Sequence, residues 1–286
     1  MSGKTIHIQD VEVPRFLYGT AWKEEQTQSL TDLALSSGFT GIDTANQRRH
    51  YYEEGVGLAV QDYFKRTGLK RDTLFIQTKY TPANGQDHRK PYDESLSPGE
   101  QVKQSFISSL EHLQLEYIDS YVLHGPSLRH GLSDADWEIW AVMEELYSSG
   151  QTKLLGISNV NFEQLSLLCQ RASTKPHFVQ NRCFASTQWD KNIRQLCNEN
   201  AIVYQGFSLL TANQEYLQSD TVQKIAKELE KSIEQVIFRF ALDINIIPIT
   251  GTRNEAHMKS DLEIYNFYLS SDQISTIEKL ALARNK

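Results

Sequence analysis

The chain has 286 residues, 40% of them hydrophobic and 23% charged, with a formal net charge of −7 and a pI near 5.7. That balance excludes a disordered chain, and the acidic charge gives no general attraction to nucleic acid or an anionic membrane, so small-molecule chemistry fits better. The longest apolar runs, such as Ile244–Ile249, are too short to span a bilayer, the N-terminus has no signal-like segment, and Cys169, Cys183 and Cys197 show no C-x-x-C spacing, so a cytoplasmic protein with reduced thiols, no disulfide framework and no metal site is expected.

Thr5–Val13 alternates short apolar and polar residues and predicts a small hairpin. Beyond it, β-rich runs alternate with segments of helical period, the signature of a parallel sheet with crossover helices. Strands are predicted at Phe16–Gly19, Gly41–Thr44, Leu74–Lys79, Ser120–His124, Leu154–Ser158, Phe178–Asn181, Ile202–Gly206 and Asn245–Ile249. Helices are predicted at Glu24–Ser37, Gly55–Arg66, Pro98–Gln114, Asp134–Ser149, Asn161–Arg171, Trp189–Asn200, Ser219–Leu242 with a break near Lys231, and Ser270–Ala283. Ser97-Pro98-Gly99-Glu100 is a helix start, with serine capping the orphan amides, and Ser149-Gly150 is a helix stop. No repeat or linker interrupts the alternation, which predicts an α/β fold in one domain over residues 1–286: a (β/α)8 TIM barrel capped by an N-terminal β-hairpin.

In such a barrel the chemistry sits where strands end, so the polar residues that terminate the apolar runs are the candidates. Asp43-Thr44, Thr78-Lys79, His124, Ser158-Asn159, Gln180-Asn181 and Ser208 should ring one pocket. Each alone reads as a solvated loop residue, and His124 equally as a core histidine. Together, Asp43 can steady the Lys79 ammonium while His124 orients a carbonyl oxygen. The proton donor this set lacks is sought in His50-Tyr51-Tyr52-Glu53-Glu54. A neighbouring ammonium should lower a tyrosine's pKa and ease proton transfer to an oxygen that gains charge as hydride arrives.

Gly41-Ile42-Asp43-Thr44-Ala45, Phe75-Ile76-Gln77-Thr78-Lys79, Tyr117-Ile118-Asp119 through His124-Gly125-Pro126, and Gly156-Ile157-Ser158-Asn159 resemble aldo-keto reductase motifs and arrive in that family's order. The resemblance runs from Phe16-Leu17-Tyr18-Gly19-Thr20 to Leu280. It implies an oxidoreductase that reduces aldehydes or ketones with NADP(H), NAD(H) being the rival, on a small-molecule carbonyl substrate. Asp43, Lys79 and His124 take the family's catalytic places, and Ser158, Asn159 and Gln180 its nicotinamide-amide contacts. Phe207 is then the stacking aromatic, Ser208 and Leu210 pyrophosphate contacts, and Gly19 and Thr20 further cofactor contacts.

The sequence departs from the family in three places. The loop Asn46–Tyr52 is about two residues long for its kind: counting back from Val56-Gly57 without a gap puts His50 at the tyrosine position, and a one-residue adjustment puts Tyr51 there, with Tyr52 the second choice. Arg48-Arg49 reads as solvated charge. After the last strand, Thr250-Gly251-Thr252-Arg253 lacks the lysine expected at the adenosine 2′-phosphate; Arg253, the hydroxyls and the backbone amides near a helix start would have to replace it. The chain also stops at Lys286 without a long C-terminal loop, and Gly125 stands for a common tryptophan, so an open pocket is expected, with Trp22 as an aromatic wall and Glu54 and Trp189 structural. Two other readings are a Schiff-base enzyme using Lys79 as nucleophile and a cofactor-binding regulatory or sensor subunit with little turnover.

Overall fold

The computed structural model describes residues 3–283. Strands β1 (Thr5–Ile8) and β2 (Val11–Pro14) form an antiparallel hairpin. The next eight are β3 (Leu17–Gly19), β4 (Gly41–Asp43), β5 (Phe75–Tyr80), β6 (Ile118–Leu123), β7 (Thr152–Ser158), β8 (Phe178–Arg182), β9 (Val203–Phe207) and β10 (Ile246–Thr250). They pair in parallel and close into a barrel, β10 lying between β9 and β3. The hairpin and the eight predicted strands all occur, with ends displaced by no more than two residues.

Helix boundaries follow local chemistry. Ser97 accepts from the Glu100 amide at 3.4 Å with Pro98 in the first turn, and the helix Asp134–Ser148 ends at Ser149 before Gly150, whose φ is 76°. The predicted break near Lys231 separates helices Asp220–Leu229 and Ile233–Asp243: Glu230 takes a φ of 54°, and Ser232 caps the second helix in a reciprocal pair with Gln235. Lys279 similarly divides the last predicted helix into Ser271–Glu278 and Leu280–Ala283. Two short helices, Gln214–Leu217 and Glu255–Asp261, were not predicted, because four and seven residues are too few to show a helical period.

The period of two along each strand decides what fills the barrel. At its lower end Leu17, Phe75, Leu154, Phe178 and Ile247 form an apolar floor, with Phe75 and Phe178 edge to face at 6.0 Å. Ile6, Ile8 and Val11 of the hairpin close that floor from below. Two residues further along, Gln77 on β5, Gln180 on β8 and Gln205 on β9 meet in the lumen. Two residues further again come Lys79, Arg182 and Phe207. A larger apolar core, including Phe106, Tyr121, Trp140 and Trp189, lies between barrel and helices. One close approach fixes the phase of the helix Glu53–Thr67: a Cβ on Gly57 would stand 2.0 Å from the His112 carbonyl oxygen, so only glycine lets that helix lie against Pro98–Leu113.

Candidate active site

The strand ends converge on a cleft of about 820 Å³, a size suited to a cofactor with a small substrate. Asp43, Tyr51, His124, Ser158, Asn159, Gln180, Phe207, Ser208, Leu210, Gly19 and the run Thr250–Arg253 all line it. Lys79 lies just beneath, fully buried, and its ammonium donates to Asp43 Oδ1 at 2.7 Å, to Asp43 Oδ2 at 2.8 Å and to the Thr44 carbonyl at 2.7 Å. These three acceptors occupy its three protons, which favours a charged lysine over a nucleophilic amine. Burial draws the Lys79 ammonium down from its usual range against the opposing pull of Asp43.

The structure brings Tyr51, and not Tyr52, to the other candidates. The Lys79 ammonium lies 5.3 Å from the Tyr51 ring centroid, and the Tyr51 and His124 rings meet edge to face at 5.9 Å. Tyr52 turns away and carries the Arg48 guanidinium over its ring at 4.4 Å, while His50 shares the cleft wall, its ring tilted against Trp22 with centroids 4.0 Å apart. The pKa expectation is corrected, however. Burial, and then the Asp43 carboxylate, push the Tyr51 phenol above its ordinary value and outweigh the Lys79 charge beneath its ring. Tyr51 is a phenol held protonated, which suits a donor.

His124 is fixed from behind. Its Nδ1 is 2.7 Å from Thr81 Oγ1, and burial, with Lys79 and His50 adding, pulls its pKa down to about 3. At neutral pH the ring is uncharged. If the Thr81 hydroxyl donates to Nδ1, the proton sits on Nε2, the nitrogen left for the cleft. Asn159 Nδ2 donates to the His124 carbonyl at 2.8 Å, and the Ser158 hydroxyl donates to the Gln180 carbonyl at 2.6 Å, so the nicotinamide-amide candidates are tied to one another and to His124. Trp22, Asn159 and Ser208, three cleft residues, adopt φ values of 61°, 52° and 57°, the left-handed region that side chains avoid unless the surroundings impose it.

Other candidates depart from expectation. Thr20 is fully buried and does not line the cleft; its amide and hydroxyl hold the Asp43 carbonyl at 3.0 and 3.1 Å, so it supports the acid rather than touching a cofactor. The Thr250 hydroxyl is given to Asp261 at 3.2 Å and Thr252 Oγ1 accepts the Asn254 amide at 3.2 Å. Arg253 reaches back to the Trp22 carbonyl and to Gln26 at 3.2 Å. The helix after β10 is seven residues long and its start is capped by Asn254, which accepts from the His257 amide at 3.1 Å.

A cation at this end, Lys23, carries no local mark in the sequence. Lys23, 4% exposed, donates to the Gly251 carbonyl, and burial, with nearby Arg253, brings its pKa down to about 8. Neither Lys23 nor Arg253 has an ion-pair partner among the described residues. Two cations held together without an ion-pair partner repel each other until an anion joins them. Arg182, also on the cleft wall, lies 5.7 Å over the Phe207 ring. Asp261 and Glu234 also line the cleft, and burial raises the Asp261 carboxyl to about 7. Trp189, as expected, is structural, donating to the Ile277 carbonyl at 3.0 Å. Among the described residues no cluster could hold a metal ion, and no helix is long and apolar enough to cross a membrane.

Residues 17–282 match the sequence model of the aldo/keto reductase family. Glyoxal reductase of Bacillus subtilis is 30% identical over 273 residues, covering 94% of this chain and 90% of that protein. The 9,11-endoperoxide prostaglandin H2 reductase of Trypanosoma cruzi is 25% identical over 281 residues, covering 96% and 90%. Among solved structures, an aldo/keto reductase from Brucella melitensis superposes with a TM-score of 0.81 at 26% identity, covering 96% of this chain and 98% of that one. With the closed barrel and its strand-end residues, these likenesses place the chain in the aldo/keto reductase family.

Proposed function

We propose that this protein reduces aldehydes or ketones to alcohols with NADPH, NADH serving less well, and that Tyr51 is the proton donor. The observation that carries the reading is the meeting of Tyr51, His124 and the buried Lys79–Asp43 pair at one end of a cleft whose other end holds Lys23 and Arg253 without a carboxylate partner. The residues present fit a dinucleotide: Gln180, Asn159 and Ser158 for a carboxamide, Phe207 for a ring face, and the cations for phosphate. When bound, the reduced nicotinamide supplies hydride to the carbonyl carbon. Tyr51 gives its proton to the carbonyl oxygen as charge develops there, and neutral His124 directs a hydrogen bond at the same oxygen. Lys79, held by Asp43, keeps a positive charge under the phenol ring.

This convergence supports a catalyst over a sensor that binds and does not turn over. One domain and a cytosolic setting belong to the same proposal, the latter supported by three buried, unpaired cysteines. The test is a fluorescence titration with NADPH and, separately, NADH, followed by turnover on a panel of aldehydes that includes glyoxal. Saturable binding with turnover is the expected result; binding without turnover would favour the sensor, and no binding would overturn the proposal.

Two further results are expected. Lys23→Met should weaken NADPH binding about tenfold, the scale of one charge-assisted hydrogen bond. In the unmodified protein the Lys23 ammonium is present below pH about 8 and lost as pH rises through it, so NADPH affinity should fall across that range. A titration of binding against pH should show this fall flattened in the variant. Thr81→Val should lower kcat roughly tenfold by freeing the His124 tautomer, about 1.4 kcal/mol of barrier, with the cofactor Kd unchanged. An unchanged kcat would remove Thr81 from the mechanism.

A further inference from the structure

Three glutamines fill the lumen directly below the cleft: Gln77 and Gln205 have no exposure and Gln180 has 3%. Their amides form a closed pattern around Asp43. Gln77 Nε2 donates to Asp43 Oδ1 at 2.7 Å and to Gln205 Oε1 at 2.8 Å. Gln180 Nε2 donates to the same two oxygens at 2.9 and 3.0 Å. Gln205 Nε2 returns a bond to Gln77 Oε1 at 3.1 Å.

The direction of these bonds has one origin. An ionised carboxylate only accepts, so both Gln77 and Gln180 must turn nitrogen toward Asp43, and Gln205 must turn oxygen toward both of them. Reversing Gln180 would set its oxygen against the Asp43 carboxylate and Gln205 Oε1, two acceptor contacts in a buried site. Both protons of Gln180 Nε2 are therefore spent inside the lumen. What Gln180 has left for the cleft it lines is Oε1, an acceptor.

We propose that Gln77 and Gln205 are positioning residues that lock Gln180 with its oxygen toward the cleft, so that the lumen selects a dinucleotide whose ring carries an N–H donor, the primary carboxamide. This rests on the nicotinamide reading above. The signal lay in the sequence, since Gln77 and Gln205 each stand two residues before a strand-end candidate, Lys79 beneath the cleft and Phe207 on its wall, and so share their strand face.

The experiment is a fluorescence titration with reduced NADPH and with its reduced 3-acetylpyridine analogue, which keeps the ring and the acceptor oxygen but has no N–H. The unmodified protein is expected to prefer the carboxamide about tenfold, one buried hydrogen bond. Gln205→Met is expected to cut that preference at least threefold while changing analogue affinity less than twofold. Parallel weakening of both dinucleotides, or an unchanged preference, would overturn the proposal, because a purely structural role makes no distinction between them. If Gln205→Met does not fold, Gln77→Met, which leaves the Gln205 amide without its partner and free to reverse, must cut the preference in the same way; an unchanged preference there overturns the proposal equally. Equal binding of the two dinucleotides by the unmodified protein would sink this inference alone, whereas binding of neither would take the nicotinamide reading down with it.

Discussion

Tyr51→Phe is expected to lower kcat by about a thousandfold, within the range for a lost general acid, while NADPH binding changes less than twofold. Phenylalanine keeps the ring against His124 and over Lys79, so packing survives and only the proton is lost. Tyr52→Phe, on the Arg48 side of the loop, should leave turnover intact, and His50→Phe should not abolish it. Near-normal turnover of Tyr51→Phe would mean that the donor is another group. The pH behaviour has a definite sign. Burial holds the phenol protonated, so aldehyde reduction should not fall through neutral pH on account of Tyr51, whereas alcohol oxidation, which needs a proton acceptor there, should quicken as pH rises. Initial rates in both directions across pH would check this.

Lys79→Met is expected to remove most turnover, and here stability moves as well. The ammonium makes three hydrogen bonds in a fully buried site, and its removal leaves the Asp43 carboxylate to Gln77 and Gln180 alone. Breaking one side of a buried ion pair costs about 3–5 kcal/mol, which should lower Tm by on the order of 10 °C for a chain of this size. The fold should persist and NADPH should still bind. Asp43→Asn combined with Lys79→Met removes the stranded charge, so it should recover most of the Tm and none of the turnover. Recovery of both would show that Lys79 acts only through stability; recovery of neither would deny that a stranded charge is the cause. Calorimetry and single-turnover rates separate the two.

The barrel was legible because its strands announce themselves twice, by apolar β-rich runs and by the polar residue that ends each run. That rule alone singled out Asp43, Lys79, His124, Ser158 and Gln180 as candidates, and they come together because chain direction in a parallel barrel carries every strand end to one face. Tyr51 was harder: it belongs to a loop, and its place depends on the phase of the helix Glu53–Thr67, which Gly57 sets against the His112 carbonyl. Lys23 could not be found locally. In Lys23-Glu24-Glu25 it reads as a solvated charge, and its contact with Gly251 joins residues 228 apart in sequence. Thr81 sits at the start of a loop whose path the sequence leaves open. Thr20 was placed by a motif in the cofactor set, yet its hydroxyl turns to the Asp43 carbonyl. The lowered tyrosine pKa failed for a physical reason: burial of the phenol, and then the Asp43 carboxylate, outweigh the nearby ammonium.

Hydride transfer in this cleft can be traced by supplying NADPH deuterated on the transferring face of nicotinamide C4, with an aldehyde as substrate, and weighing the alcohol formed. One deuterium is expected on the former carbonyl carbon, with cofactor oxidised in equal amount, and none of this with Tyr51→Phe at matched times. Alcohol without deuterium, or deuterium loss without alcohol, would contradict hydride transfer in this cleft and with it the central claim.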